Sequence, residues 1–352
     1  MPPQPHRPAV LAWQVFRGST VVRQGLLTGH QLRSSAWVRL RHDVYADARL
    51  DRDHALVCRA ALLRLPPKAL VAGPSAAYLH GVTHAAAFTD EVHVLVPPPL
   101  RAGAQRGLRL HVAGAAALPA AEASAVRRSP PAAVGFPGGD MSPLPVAVLA
   151  PPERAVPSSP RTPAGGLPRT NPGEAAWETA VWVEPVRAVG IIDSLLHADL
   201  TTRDELTTIA DANADRPGGR RAQWIFGLAD PGAQSPPESH LRVRLVLAGL
   251  PRPVAQHPVR LPGGLVLHPD LAWPRYRVAV EYDGVWHADA DQLHRDRRRL
   301  NQLVSAGWLV LHVTGRRLHQ DFPGIVREVS AALDSRGWRS RPGRPTVVGL
   351  AS

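Results

Sequence analysis

Hydrophobic and polar residues alternate in the segment VAVEYD, in the pattern of a β-strand that packs on one face. Val278, Val280 and Tyr282 fall on one face of such a strand, whereas Glu281 and Asp283 fall on the other. The two acidic positions are about 7 Å apart along the strand, given the usual rise per residue. The pattern therefore predicts a core strand with two carboxylates on its second face.

The preceding segment, residues 265–273, predicts a second strand that carries Asp270 and ends before a Pro-Arg-Tyr turn. The two strands are expected to pair as a hairpin. A turn centred on Trp273 to Tyr276 would place Asp270 opposite Ala279, with Glu281 as its diagonal neighbour. Three acids would then share a small area of the sheet, which is unfavourable unless a cation lies there. A divalent metal is the expected cation.

Apolar residues recur at helical spacing in several other segments and alternate or run continuously in others, which predicts helices and strands in mixed order. The fold class expected from this order is α/β (α+β) with more than one domain. The run WLVLHVT is typical of a buried central strand. The predicted helices cover residues 51–65, 186–200, 202–212, 290–306 and 322–333, and a clear predicted strand covers residues 91–97.

The chain has 352 residues, which is too long for one small core, and its 37 prolines and 29 glycines imply a long unstructured stretch, expected at residues 113–176. That region, rich in Ala, Pro, Gly and Ser, predicts a flexible linker. The expected organisation is a lead-in at 1–17, an N-terminal domain at 18–112, a linker at 113–176, a helical module at 177–232, a C-terminal domain at 233–334 and a basic tail at 335–352.

The chain carries a net charge of +12, and Lys68 is its only lysine. Coding bias towards arginine is one explanation, but guanidinium groups match phosphates in either case, which favours a nucleic-acid partner. A single cysteine, Cys58, fits a cytoplasmic protein without an internal disulfide, and no segment predicts a membrane span. The arginines expected to contact DNA are Arg39 and Arg41 in a basic hairpin, and Arg295, Arg298 and Arg299 on a helix. The alternative for the hairpin is a small α/β scaffold whose arginines are only solvated.

Four segments of the N-terminal domain, GLLT, WVRLRHDVY, SAAYLHG and EVHVLVP, together resemble proteins with an AbiEi-type antitoxin domain. The resemblance covers residues 18–112. It implies a winged-helix-like α+β domain that binds DNA or a protein partner such as a cognate toxin.

The C-terminal domain resembles the PD-(D/E)XK nucleases, and more narrowly the very-short-patch-repair endonucleases. The resemblance rests on HPDLAWP, EYDG with a following histidine, a helical Asp-Arg pair and GWLVLHVT, within residues 233–334. It implies a restriction-endonuclease-like mixed sheet flanked by helices. The implied activity is metal-dependent hydrolysis of DNA phosphodiester bonds, in DNA repair or in defence against phages and mobile elements.

This resemblance and the chemistry of phosphodiester cleavage give each candidate residue an expected role. Asp270 and Glu281 would hold Mg²⁺ (or Mn²⁺), and His287 would accept a proton from water unless it is a loop histidine without a role. Asp283 is either a third ligand or the first half of an Asp-Gly turn. Glu238 is either catalytic or only a capping-box residue with Ser235 at a helix start. Asp296 lies either at the edge of the metal site or in an ion pair with neighbouring arginines.

One departure from the family pattern leaves the function open. The lysine that the family name implies, two residues after the glutamate, is Asp283 in this chain. Arginine cannot replace it as a base, because arginine stays protonated. The alternative to an endonuclease is therefore a non-catalytic, DNA-binding regulator of antitoxin type that keeps a nuclease-like scaffold.

Overall fold

A computed structural model describes residues 5–97, 105–112, 166–261, 264–284, 299 and 301–339. The protein has an α+β fold in which helices accompany mixed sheets, as expected. Across these ranges, no helix is both long enough and apolar enough to cross a membrane. The helices are α1 (Gly18–Arg23), α2 (His54–Leu62), α3 (Gly73–Leu79), α4 (Pro172–Trp182), α5 (Pro185–His197), α6 (Arg203–Ala212), α7 (Gly219–Leu228), α8 (Pro236–Leu247), α9 (Gly315–Gln320) and α10 (Phe322–Ser335).

The strands form three larger sheets and one short hairpin. The strands are β1 (Val15–Arg17), β2 (Trp37–Arg41), β3 (Val44–Asp47), β4 (Leu70–Val71), β5 (Val92–Val96), β6 (Leu108–Val112), β7 (Val254–Ala255), β8 (Val259–Arg260), β9 (Val266–Leu267), β10 (Leu271–Trp273), β11 (Val278–Asp283) and β12 (Leu309–Thr314).

The first sheet has the strand order β1-β3-β2 and contains the predicted basic hairpin, β2–β3. Phe16 and Trp37 meet edge to face in its core, with ring centroids 5.1 Å apart. Asp43 forms the hairpin turn with φ 60°, and its carboxylate accepts a 2.6 Å hydrogen bond from the backbone N–H of Ser19 in α1. The hairpin is thereby held against the first helix.

The second sheet, β4-β5-β6, contains a parallel pair, β5–β6, and packs against α2 and α3. A buried polar network joins these elements. His54 Nδ1 lies 2.8 Å from the carbonyl of Ala87 and His54 Nε2 lies 2.8 Å from Ser75 Oγ, which accepts from the backbone N–H of His93. The carbonyl can only accept, so Nδ1 carries the proton and Nε2 accepts from Ser75. This region folds around satisfied polar groups as well as apolar ones.

Helices α4 to α7 surround an apolar core that also receives residues from α3 and α8. Helix α4 begins inside the stretch predicted as linker, so the linker boundary at residue 176 was wrong. Asn171 accepts a 2.7 Å hydrogen bond from the backbone N–H of Glu174, and Ala175 and Ala176 are fully buried. The alanines that suggested low complexity are helix formers next to a good cap.

A buried ion pair ties α8 to α5. Arg242 NH2 lies 2.6 Å from Asp193 Oδ2, and each side chain is 1% exposed. Asp193 also accepts a 2.7 Å hydrogen bond from the backbone N–H of Asp230. Helix α8 begins at Pro236, after Ser235. Because Arg242 lies in the middle of α8, the ion pair fixes the helix against α5 and holds its first turn in place for the site described below.

The third sheet has the order β12-β11-β10-β7, with β10–β11 antiparallel and β11–β12 parallel. Val278 and Val280 pack on one face against α8 and α10, whereas Ala279 packs on the other against Leu303 and Trp308. The alternation predicted for β11 is confirmed. Strand β12 was predicted to be central but is an edge strand within the described sheet. Its apolar run reflects packing on both faces rather than strands on both sides.

Candidate active site

Asp270 and Glu281 lie opposite each other at one end of the β10–β11 hairpin. Leu271 pairs with Val280, so the next position along each strand brings the two acids together. Glu281 Oε2 accepts a 3.4 Å hydrogen bond from the backbone N–H of Asp270. The predicted register, with Asp270 opposite Ala279, was wrong by two residues because residues 274–277 all lie in the turn and Trp273 pairs with Val278.

Asp270 lies in a short irregular segment, not in the middle of a long strand as predicted. Pro269 has no backbone N–H, and the strand expected over residues 265–273 divides into β9 and β10 at this point. Asp270 Oδ2 accepts a 2.8 Å hydrogen bond from the backbone N–H of Tyr282, and Oδ1 accepts a 3.1 Å bond from Gln256 Nε2. The carboxylate is thus oriented from both sides.

Glu281 carries a charge that its surroundings disfavour. Its side chain is 13% exposed, and Arg299 NH2 lies 3.3 Å from Glu281 Oε1. Burial, followed by the negative charge of Asp270, raises the pKa of Glu281 to about 7 although Arg299 opposes the shift. Arg299 also donates a hydrogen bond to the carbonyl of His268. Its guanidinium group therefore only partly neutralises the acid pair.

Glu238 reaches the same cluster from the first turn of α8 through Gln256. Ser235 caps the helix by accepting a 3.4 Å hydrogen bond from the backbone N–H of Glu238. The Glu238 carboxylate accepts from Ser235 Oγ at 2.7 Å and from the backbone N–H of Gln234 at 3.0 Å, so its predicted capping role is observed, with Gln234 in place of the N-cap N–H. Gln256 lies close enough to Glu238 to favour its ionised form. Burial raises the pKa of Glu238, and the charge of Asp270 adds to the increase. The helix cap and the acid cluster are one connected network, and the catalytic role of Glu238 remains a prediction.

Asp283 pairs with a histidine on the neighbouring strand. His312 Nδ1 lies 3.1 Å from Asp283 Oδ2, and the parallel register sets His312 beside Glu281. His312 is 42% exposed, so its ring is open to solvent. Among the described residues, no group of three or more His, Cys, Asp or Glu side chains converges closely enough to hold a metal. Asp283 therefore has a defined partner in His312, and its role as a third ligand stays a prediction.

The remaining predicted site residues are divided between undescribed and distant positions. His287, Arg295, Asp296 and Arg298 lie outside the described residues. Arg39 and Arg41 are described, but they belong to strand β2 of the first sheet and not to this cluster.

The chain is similar to two curated proteins, both of which are named as uncharacterised. One protein from each of two strains of Mycobacterium tuberculosis is 29% identical to this chain over 166 residues, which are 47% of this chain and 61% of each relative. The chain thus spans less than two thirds of the length of the curated relatives it matches. No protein-family model matches the chain. No solved structure gives a significant match either.

Two polar residues of the cluster, Gln256 and His312, were not predicted from the sequence. Gln256 follows the two-residue strand β7, which is too short to give a periodic signal. His312 lies in an apolar run that had suggested a buried strand. The parallel register of β11 and β12 places His312 beside Glu281. The register between two strands that are far apart in the sequence cannot be predicted from the residues of either strand alone.

The donor set fits a hard divalent cation. Asp270, just before β10, and Glu281 on β11 supply carboxylate oxygens. Burial and then the charge of Asp270 raise the pKa of Glu281, although Arg299 opposes the shift. Mg²⁺ is commonly bound by one or two carboxylates, with waters and substrate phosphates completing its coordination. A pair of half-buried carboxylates at one end of a hairpin fits such a site, even without a third protein ligand.

Proposed function

We propose that this protein is a metal-dependent endonuclease that hydrolyses DNA phosphodiester bonds. The observation that carries the proposal is the facing pair Asp270 and Glu281, in which the backbone N–H of Asp270 donates to the Glu281 carboxylate while burial and the charge of Asp270 raise the pKa of Glu281 to about 7. Buried like charges are unfavourable for folding alone and are typical of sites where a cation or a reacting group is bound. The strongly basic chain supports a polyanionic substrate.

Asp270 and Glu281 would hold Mg²⁺ or Mn²⁺, which supplies charge neutralisation at the phosphate and a more acidic water. Gln256 keeps the Asp270 carboxylate oriented and links it to Glu238. His312, hydrogen-bonded to Asp283 and open to solvent, is the proton acceptor within the described residues that we favour in place of the family lysine. His287, which lies outside those residues, keeps its predicted role as the alternative acceptor.

We also propose that the protein is cytoplasmic and is built from separate domains. The C-terminal part would be a PD-(D/E)XK domain of very-short-patch-repair type, acting in DNA repair or in defence against phages and mobile elements. The N-terminal part would be an AbiEi-like domain that contacts DNA or a protein partner such as a toxin. The residue patterns given above support these assignments.

Cleavage of supercoiled plasmid in the presence of Mg²⁺ or Mn²⁺ tests the proposal. We expect Asp270→Asn and Glu281→Gln to lower the cleavage rate by at least about 100-fold, because loss of a metal ligand should exceed the effect of losing an outer-shell partner. Asp211→Asn and Glu328→Gln are matched controls, since both change exposed acids on helices elsewhere. Equal cleavage by all four variants would show that the nuclease site is not here.

Arg299 supports a second candidate function, a non-catalytic DNA-binding regulator. A guanidinium group 3.3 Å from Glu281 can stabilise the acid without any metal, and Asp283 stands where the family pattern has lysine. A regulator would bind DNA equally well in EDTA and in Mg²⁺, without cleavage. Specific binding of Mn²⁺, measured by calorimetry and lost in Asp270→Asn, would argue against it.

A further inference from the structure

A cavity of about 660 Å³ lies between the β2–β3 hairpin, α2 and the turn before β6. Its wall brings together five arginine side chains from four separate segments of the chain. They are Arg39 and Arg41 on β2, Arg52 before α2, Arg64 after α2, and Arg106 in the turn at residues 105–107. None of these residues belongs to the candidate active site.

The positive charge of this cavity is not compensated by carboxylates. Within the described part of the chain, none of the five arginines forms an ion pair. Asp90 is the acid in the wall, and its carboxylate is already paired with Arg187 at 2.7 Å. Burial lowers the pKa of Arg41, and the like charge of Arg64 contributes to the decrease. The cavity therefore gathers like charges that an anion would relieve.

Arg41 differs from the other four because it builds the wall. Its guanidinium donates to the carbonyls of Arg106 at 3.1 Å and Gly107 at 2.7 Å, which joins the hairpin to the second sheet. Arg39, Arg52, Arg64 and Arg106 are exposed. Within the parts of the chain that the structure describes, Arg39 and Arg64 make only long hydrogen bonds of 3.4 Å to backbone carbonyls. Four guanidinium groups thus remain available around a fixed frame.

We infer that this arginine cavity binds the phosphates of a nucleic-acid backbone, at a position separate from the candidate active site. Exposed guanidinium groups from several segments around one opening can meet several phosphates at once, whereas a single phosphate needs only one or two. The inference rests on the proposed function in taking DNA as the substrate, and it adds a second contact surface that positions the DNA.

The test measures binding without cleavage. The full chain with Asp270→Asn, in EDTA, is titrated against a fluorescein-labelled DNA duplex, and anisotropy is followed over a range of KCl concentrations. The cavity variant combines Arg39→Gln, Arg52→Gln and Arg64→Gln. The control combines Arg220→Gln, Arg275→Gln and Arg327→Gln, which remove the same charge from exposed positions elsewhere. A third variant replaces the three cavity arginines with lysine.

If all three arginines contact phosphates, the slope of log K against log salt concentration should become less steep by about 2.7 in the cavity variant. The affinity of that variant near 0.1 M salt should fall by up to about 500-fold. We expect at least a tenfold loss in the cavity variant, less than threefold in the control, and near-normal affinity with lysine. Equal losses in cavity and control variants would overturn the inference. The inference would also be overturned if inorganic phosphate displaced the duplex at a concentration equal to that of the phosphates in the DNA. That result would indicate a site for free phosphate.

The result is independent of the nuclease proposal because no metal is present. A protein that loses DNA affinity in the cavity variant but never cleaves DNA would refute only the nuclease proposal. A protein that cleaves DNA and keeps full affinity in the cavity variant would refute only this inference. Circular dichroism and thermal unfolding of each variant show whether a loss of affinity reflects loss of folding, and the lysine variant provides a second folded comparison.

Discussion

Replacing Glu281 with glutamine should stabilise the metal-free protein at alkaline pH. The folded protein raises the pKa of Glu281 from an ordinary value of 4.5 to about 7. The folded state therefore holds the proton more tightly than the unfolded chain between these pH values. It follows that this residue favours folding least when it is ionised, so stability falls as the pH rises from 4.5 through 7.

The size of the effect follows from the shift. A pKa difference of this size corresponds to about 3 kcal/mol of stability lost once the pH is well above 7. This is an upper limit, because the side chain keeps some contact with solvent and ionic screening weakens its repulsion by Asp270. Glutamine keeps the shape of the side chain and removes the charge, so Glu281→Gln should remove the pH dependence that this residue contributes.

Urea unfolding in EDTA at several values between pH 5 and pH 9 measures the difference. We expect the variant and the natural chain to be similar near pH 5 and the variant to be more stable by up to about 3 kcal/mol near pH 9. Asp211→Asn, at an exposed position of α6 for which the structure describes no ion pair, controls for the loss of one negative charge. Parallel pH profiles, or a less stable Glu281→Gln at alkaline pH, would refute the reasoning. Added Mg²⁺ should stabilise the natural chain more than the variant.

Three further predictions concern the scaffold and the proton acceptor. Asp193→Asn should lower the free energy of unfolding by about 3–5 kcal/mol, measured in urea, because it leaves Arg242 charged and unpaired in the interior. His54→Ala should cost roughly 3 kcal/mol by leaving Ser75 without its acceptor and opening a cavity. Since burial lowers the pKa of His54, this loss should shrink as the pH falls below about 6.5. His312→Gln should reduce Mg²⁺-dependent cleavage by roughly 10²–10⁴-fold with unchanged DNA affinity; an unchanged rate would exclude His312 as the proton acceptor.

Local patterns predicted the elements of the C-terminal part well. The alternation of β11, the capping box at Ser235 and the apolar stripe of α10 each depend on residues a few positions apart, and all three are confirmed. The register of β10 against β11 was not predictable in the same way. The register depends on a four-residue turn in which Arg277 adopts φ 49°, a conformation that a non-glycine residue rarely adopts. The neighbouring residues give no sequence signal for such a turn.

The candidate site likewise has features that local sequence patterns predict and features that depend on contacts between distant segments. The identities of Asp270 and Glu281 could be read from strand patterns, since each acid interrupts an apolar segment. Their direct opposition, the link from Gln256 to Glu238 and the Asp283–His312 pair all depend on contacts between separate segments. Such contacts are fixed by the register of the sheet and by the position of α8, and one residue of slip would turn a side chain to the other face.

The acid cluster is difficult to explain as part of the scaffold alone. Glu238 has a complete structural role as a capping residue, and a helix cap does not require a neighbouring acid. Burial is the main cause of the raised pKa of both Glu238 and Glu281, and the charge of Asp270 adds to each increase, which further disfavours the ionised form of both neighbours. A neutral residue such as asparagine at position 270 could still accept the hydrogen bond from Tyr282 without that repulsion. The charge at position 270 is therefore consistent with the proposed cation at this end of the sheet, since Arg299 neutralises the pair only in part.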